Sequence, residues 1–205
     1  FWGYKWLGLD KDGKDMYEDR NGNGRVDGND RTNIGKSSPD VTFGWNNSVS
    51  YKNWDLNIFA TSAIGAKRLN LVRFGMASMV GSTRFITLRD AYAKSFDKIG
   101  AAAIYPSLKV TGNTYEAVST KWLENANYLR LENISLSYNM PKKVAKFADL
   151  RFTLSCQNLF TITSYSGYDP TGSNFSEGNI DVDGGVDIGA YPTPRTITLG
   201  VRMNF

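Results

Sequence analysis

A chain of 205 residues with a formal charge of +4 can be one large domain or part of a bigger one, and that charge is too mild and scattered for a nucleic-acid partner. One cysteine excludes an internal disulfide framework and a cysteine zinc site. The absence of histidine excludes histidine metal ligation and Ser–His chemistry, so no enzyme is expected.

The first residues, Phe1-Trp2-Gly3, carry no charged n-region or apolar h-region, so a leader is expected to be absent or to lie outside the chain. Residues 1–9, with Trp2, Tyr4 and Trp6 at alternate positions, form the weakest of six expected strands. A long loop, 10–40, follows. In 41–51 the apolar set Val41, Phe43, Trp45, Val49 and Tyr51 alternates with Thr42, Gly44, Asn46, Ser48 and Ser50. After a tight turn at Lys52-Asn53, residues 54–62 repeat the pattern with Trp54, Leu56, Ile58 and Ala60.

A second long loop covers 65–127. Within it Thr87-Leu88-Arg89-Asp90 has the capping-box form, and Leu88, Ala91, Tyr92, Phe96 and Ile99 follow near helical spacing. The spacing predicts a short helix, either packed on the rim or docking a partner. Residues 133–139 alternate through Ile134, Leu136 and Tyr138, whereas 128–132 reverse phase and are expected to rise above the membrane. A short link carrying Pro and Lys leads to 150–162, with Leu150, Phe152, Leu154, Cys156 and Phe160 on one phase. The third long loop is 163–194. The final strand, 195–205, sets Ile197, Leu199, Val201, Met203 and Phe205 against Thr196, Thr198, Gly200, Arg202 and Asn204.

No run reaches the roughly 18 apolar residues of a membrane helix, and the mean hydropathy is negative. Neither excludes a membrane, because barrel strands carry their lipid face on every second residue. A soluble antiparallel sandwich also alternates. Aromatics near strand ends (Trp45, Tyr51, Trp54, Tyr138, Phe205) and the alternation of short turns with long loops favour the outer-membrane arrangement.

The expected fold is therefore all-β: about six strands of an antiparallel transmembrane β-barrel. The chain end would be periplasmic and the loops 10–40, 65–127 and 163–194 extracellular. Arg202 is expected to face inward, because Arg at the lipid midplane costs roughly 2–4 kcal/mol. Open edges in hydrocarbon leave backbone groups unpaired, so the chain is expected to be one portion of a larger barrel.

Residues 19–30 fit a calcium loop, D-x-[DN]-x-[DN]-G with an acid at the twelfth position. Asp19, Asn21 and Asn23 would offer side-chain oxygens, Arg25 its carbonyl, and Asp27 and Asp30 carboxylates, with Gly24 at the sharp bend. An Asn/Gly-rich turn held by side-chain-to-backbone bonds is the alternative, since the last ligand is Asp and no flanking helices are evident. The acidic run 181–187 lacks this spacing and reads as an ordinary loop. Cys156, on the apolar phase, reads as a small hydrophobe. Trp122 and Tyr168 could stack on sugar rings or cap the rim.

The last strand resembles an outer-membrane assembly signal built on Thr198, Gly200, Met203 and the terminal aromatic Phe205, whose deletion is expected to reduce assembly. The stretches 17–65, 125–141 (NANYLRLENISLSYNMP), 157–170 (QNLFTITSYSGYDP) and 185–205 resemble, in order, the closing third of the barrel of SusC/RagA-like TonB-dependent transporters. The match leaves 72–119 largely uncovered. The resemblance implies a twenty-two-stranded barrel with a plug, energised through TonB and lidded by a SusD-like lipoprotein. It also implies an oligosaccharide or peptide cargo. A calcium-dependent extracellular binding module of a soluble β fold is the competing function.

Overall fold

The computed structural model describes residues 1–77, 88–109, 113–114, 116–141, 143, 148–172 and 184–204. They form two compact units. One is built from Pro39–Ala66, Ala126–Tyr165 and Tyr191–Phe205, the other from Phe1–Ser38, Lys67–Asn125 and Ser166–Ala190.

The first unit is a single antiparallel sheet of five long strands: β1 (Val41–Tyr51), β2 (Trp54–Ile64), β3 (Tyr128–Asn139), β4 (Asp149–Thr163) and β5 (Thr196–Asn204). They lie in the order β5-β4-β3-β2-β1. Strand formation follows from alternation rich in β-branched and aromatic residues, which suits a pleated surface. Between β1 and β2, Lys52 takes a left-handed conformation at φ 52. The turn is tied to the end of β3 by Asn139 N–H donating to the Asn53 carbonyl at 2.8 Å, and by Asn53 Nδ2 donating to the Asn139 carbonyl at 2.6 Å.

The phase reversal at 128–132 is not a departure from the sheet. Strand β3 runs unbroken through it, with a bulge that places Asn133 opposite Phe59 and Leu131 opposite Ala60, leaving Glu132 as the extra residue. On the other side β4 accommodates the same point between Gln157 and Phe160, where Asn158 sits at φ 52. The bulge in β3 shifts the sequence phase while preserving the side on which residues fall, whereas β4, with two extra residues, keeps its phase.

The sixth expected strand, 1–9, does not join this sheet. Trp2–Gly3 pairs with Thr32–Asn33, and Trp6–Leu9 pairs with Asp15–Tyr17, both within the second unit. The aromatics are anchored individually. Tyr4 is buried, Trp6 N–H donates to Thr120 Oγ1 at 2.9 Å, and Trp6 Nε1 donates to Asp15 Oδ1 at 2.7 Å. Gly3 lies against Val118 and Ile34 with no room for a Cβ. Alternation here serves close packing in a loop body.

The second unit has a small core of Leu69, Ala77, Ala91, Tyr105 and Trp122, with Phe1, Leu71, Phe74 and Leu123 packed against it. A three-stranded sheet (Lys67–Asn70 between Val186–Asp187 and Leu123–Asn125) and a helix, Leu71–Ala77, frame that core. The expected single helix is two short ones, Arg89–Ala93 and Phe96–Ile99. The break occurs because the Phe96 N–H goes to the Tyr105 carbonyl at 3.0 Å, not to a helical partner. The first of the two is capped at Leu88 with no side-chain bond; Thr87, the capping residue of the expected box, lies outside the described residues.

Candidate functional site

The five-stranded sheet has two chemically opposite faces. Across it, Val49, Leu56, Leu136, Leu154 and Leu199 stand in one row. Tyr51, Trp54, Tyr138, Phe152 and Val201 form the row nearer the β1–β2 turn, and Ile58, Ile134, Cys156 and Ile197 the row beyond. Past the bulge, Trp45, Ala60, Leu131 and Phe160 continue the same face.

On the outer strands these side chains are open to the surroundings, Leu199 at 76% and Val201 at 59%, whereas Leu56, Ile58 and Ile134 on the inner strands are half-buried. Trp54 and Tyr138 pack ring against ring at 4.6 Å near the turn, and Phe43 and Trp45 stand towards the other end. Ten residue steps from Val41 to Tyr51 extend roughly 33 Å, which a tilt of about 40° reduces to the roughly 25 Å of a membrane band.

The opposite face is a polar ladder. Ser48 Oγ donates to Asn57 Oδ1 at 2.7 Å, and Ser50 Oγ to Asp55 Oδ1 at 2.8 Å. Ser137 and Thr153 share a bond of 2.9 Å, and Arg130 Nε donates to Thr161 Oγ1 at 2.9 Å. Arg151 forms an ion pair with Asp55 at 3.1 Å, and the bulged Glu132 accepts from Thr61 Oγ1 at 2.7 Å. Arg202 is aligned with Arg151 and Leu199 with Leu154, so the two fall on opposite faces as expected. Thr198 and Gly200 lie on the polar face and Met203 on the apolar one; Phe205 is outside the described residues.

In the second unit, the loop 19–30 is closed by its own backbone. Asp19 Oδ1 accepts from Gly22 N–H at 2.8 Å and Asp19 Oδ2 from Gly24 N–H at 2.7 Å, with Gly24 at φ 80. Asn21 Oδ1 accepts from Asn23 N–H at 3.0 Å, and Asn23 Oδ1 from Arg25 N–H at 2.8 Å. Asp27 Oδ1 accepts from Asn29 N–H at 2.8 Å and caps a 3-10 turn, Gly28–Asp30.

Asp30 is buried and accepts from Arg20 and Asn21 N–H through Oδ1 and from Asp27 N–H through Oδ2. The Asp27 N–H above all, with those of Asn21 and Arg20, holds its carboxyl below the usual range against the opposing effect of burial. Among the described residues no group of three or more His, Cys, Asp or Glu is placed to hold a metal ion, Asp19, Asp27 and Asp30 included. As arranged, the oxygens sought for calcium accept backbone N–H bonds within the loop.

Two further clusters escaped sequence reasoning, because their members are far apart in the chain and follow no period. Lys121 Nζ pairs with Asp15 Oδ1 at 2.5 Å and lies over the rings of both Trp6 and Trp122, at 5.1 and 5.0 Å. Burial lowers the Lys121 pKa, and Asp15 opposes that shift. Glu124 is a second hub, taking Arg73 Nη1 at 2.9 Å, Ser166 Oγ at 2.7 Å and Asn70 Nδ2 at 3.2 Å. Burial disfavours charge on Arg73, yet Tyr105 and Glu124 together raise its pKa.

Beside the Glu124 hub is a cavity of about 450 Å³ lined by Asn70, Arg73, Met76, Leu88, Tyr105 and Tyr168 among others. Of the two aromatics considered for sugar stacking, Trp122 is 2% exposed and belongs to the core, whereas Tyr168 is 70% exposed.

Comparison with known proteins matches this two-faced wall. The chain is 31% identical over 198 residues to TonB-dependent receptor P3 of Formosa agariphila, covering 94% of this chain and 19% of that protein. It is 29% identical over 205 residues to TonB-dependent receptor SusC of Bacteroides thetaiotaomicron, covering 96% and 18%. In fold it matches the RagAB peptide importer in its closed-closed state with a TM-score of 0.79, 24% identity, all of this chain and 23% of that one. The chain is part of a SusC/RagA-like TonB-dependent receptor. No family model matches it. It spans about a fifth of the length of the curated receptors it resembles, and its open five-stranded sheet is a segment of such a receptor's barrel wall.

Proposed function

We propose that this chain supplies barrel wall and outer loops to an outer-membrane importer of large nutrients, oligosaccharide or peptide. The apolar face of β1–β5 meets lipid and the polar ladder faces the interior. The long segments 10–40, 65–127 and 163–194 lie on the extracellular side and the end of β5 on the periplasmic side. Energy comes through TonB, contacted by parts of the protein outside this chain. A SusD-like lipoprotein closes the outer mouth.

The observation that carries this reading is the sheet itself, whose apolar rows stand open while its polar face is cross-linked by side-chain bonds. In water such a face would be an aggregation surface, which disfavours the soluble calcium-binding module. Relatives named as TonB-dependent receptors, and a solved importer of the same fold, support the rest.

The test is nutrient uptake in the native bacterium with the full-length gene deleted and then restored. Growth or uptake of labelled oligosaccharide or peptide is expected to fall on deletion and to return with the gene. It should also depend on TonB. Unchanged uptake across panels of both cargo classes would overturn the reading.

A further inference from the structure

Among the described residues of the polar face, Arg202 is a cation with no ion pair. Register sets Arg151 on β4 directly opposite Arg202 on β5, a spacing of about 5 Å between Cβ atoms at which like charges destabilise a sheet. Arg151 has an answer, since Asp55 Oδ2 lies 3.1 Å from Nη2 and Asn139 Oδ1 accepts from Nη1 at 3.4 Å. Asp55 is then committed, because it also takes Ser50 Oγ and Asn139 Nδ2.

Arg202 has a single long bond, Nε to Asn204 Oδ1 at 3.4 Å, and forms no ion pair with any described carboxylate. Asp149 borders the same space and has an interaction of its own. That space is a cavity of about 320 Å³ at the end of the sheet, lined by Asn139, Asp149, Arg151, Arg202 and Asn204 among others. Besides the paired Arg151 and Asn139 and the Asp149 carboxylate, it presents the Arg202 guanidinium and the Asn204 side-chain amide to whatever enters.

We infer that Arg202, with Arg151 beside it, receives a carboxylate side chain from the part of the same receptor that lies outside this chain. The inference rests on the proposed reading that the polar face looks inward. Two observations select this occupant. The chemistry is complementary, because a guanidinium fork matches a carboxylate through two parallel hydrogen bonds. There is also a supply: the chain is about a fifth of the length of its receptor relatives, so most of the protein remains to cover an inward face. An acid placed here relieves the Arg151–Arg202 repulsion and fixes that part of the protein against the wall.

The experiment uses the full-length receptor in membranes, with Arg202→Lys treated with a carbodiimide and peptides mapped by mass spectrometry. This reagent joins an amine to a carboxylate only when the two are in contact. The expected result is an intramolecular link from position 202 to one acidic residue outside residues 1–205. Its yield should be at least about tenfold above that from Thr196→Lys on the same face. Charge reversal of the mapped acid should abolish the link.

Links only to Asp149 or to the chain's terminal carboxylate would overturn the proposal, as would none. A link to a lipid-derived group, or bound phosphate in its place, would also overturn it. Retained heat-modifiable migration on gels controls for folding. Leu199→Cys separates the two readings. If it reacts with a membrane-impermeant maleimide in intact membranes, the lipid-facing wall is wrong; if it is protected and no link forms, only the carboxylate docking is wrong.

Discussion

The five-stranded sheet and the loop body use apolar residues in opposite ways. In the sheet, Leu154, Leu199, Val201 and Ile197 stand half or more open, and polar groups pair with one another on the far face. In the body, Trp122 is 2% exposed, Tyr105 3% and Ala91 fully buried, and even a Lys–Asp pair is enclosed between two indoles. The body is organised for water, with its apolar groups inside. The sheet is organised for a solvent that is itself apolar, so its stability depends on register and facing and not on a core of its own. Lesions should therefore do different damage in the two regions.

The largest effect should come from the body's enclosed groups. Trp122→Ala removes the centre of the core, a loss of about 3–5 kcal/mol. Asp15→Ala strands the buried Lys121 charge, a loss of similar size. Both should open the loops to protease in the full-length receptor while heat-modifiability of the barrel persists. Loss of the folded barrel band with either variant would break the comparison.

Next, Leu154→Arg places a charge in the middle of the apolar face and should cost about 2–4 kcal/mol in urea unfolding from vesicles. Ser155→Arg, one residue along and facing the polar side, should cost well under half as much. Equal costs would mean that the faces are misassigned.

The smallest effect concerns the loop 19–30. Because Asp30 titrates below its ordinary value of 3.8, its contribution is fully present above that pH and is lost as pH falls through the lower folded value. Hydrogen exchange at the amides of Arg20, Asn21 and Asp27 should accelerate in acid, and also on Asp30→Ala at neutral pH. Exchange should be the same in chelator and in millimolar calcium; protection that appears only with calcium would restore the calcium reading of this loop.

The sheet was legible in the sequence to a degree the body was not. Alternation placed 41–51, 54–62 and 150–162 within two residues of β1, β2 and β4, because period two is imposed by the pleat at every residue. The same rule misread 1–9, where Trp2, Tyr4 and Trp6 alternate but Trp2 stands exposed while Tyr4 and Trp6 are held by Val118, Thr120 and Asp15, partners up to 114 residues away. Nothing local encodes such contacts. The polar ladder was partly readable, since Asp55, Arg151 and Arg202 all fall on the polar phase, but which acid meets which base required the register. The calcium motif was legible as a turn, and its Asn and Asp spacing is as well suited to Asx bonds as to an ion.

The bulge at Glu132 gives β3 something like a reading frame. Leu129 and Leu131 occupy odd positions, and Ile134, Leu136 and Tyr138 even ones, yet all five share the apolar face. Removing one residue elsewhere in the strand, Ser135 for instance, would turn everything on one side of the gap over. Removing Glu132 would not, because Asn133 would then join Leu131 in regular alternation, at the loss of the Thr61 bond and with β4 left to absorb the slack at Asn158 and Leu159. Position 132 is thus where this wall can gain or lose a residue without changing sides, and length variation among related chains should collect there and opposite it, at 158–159.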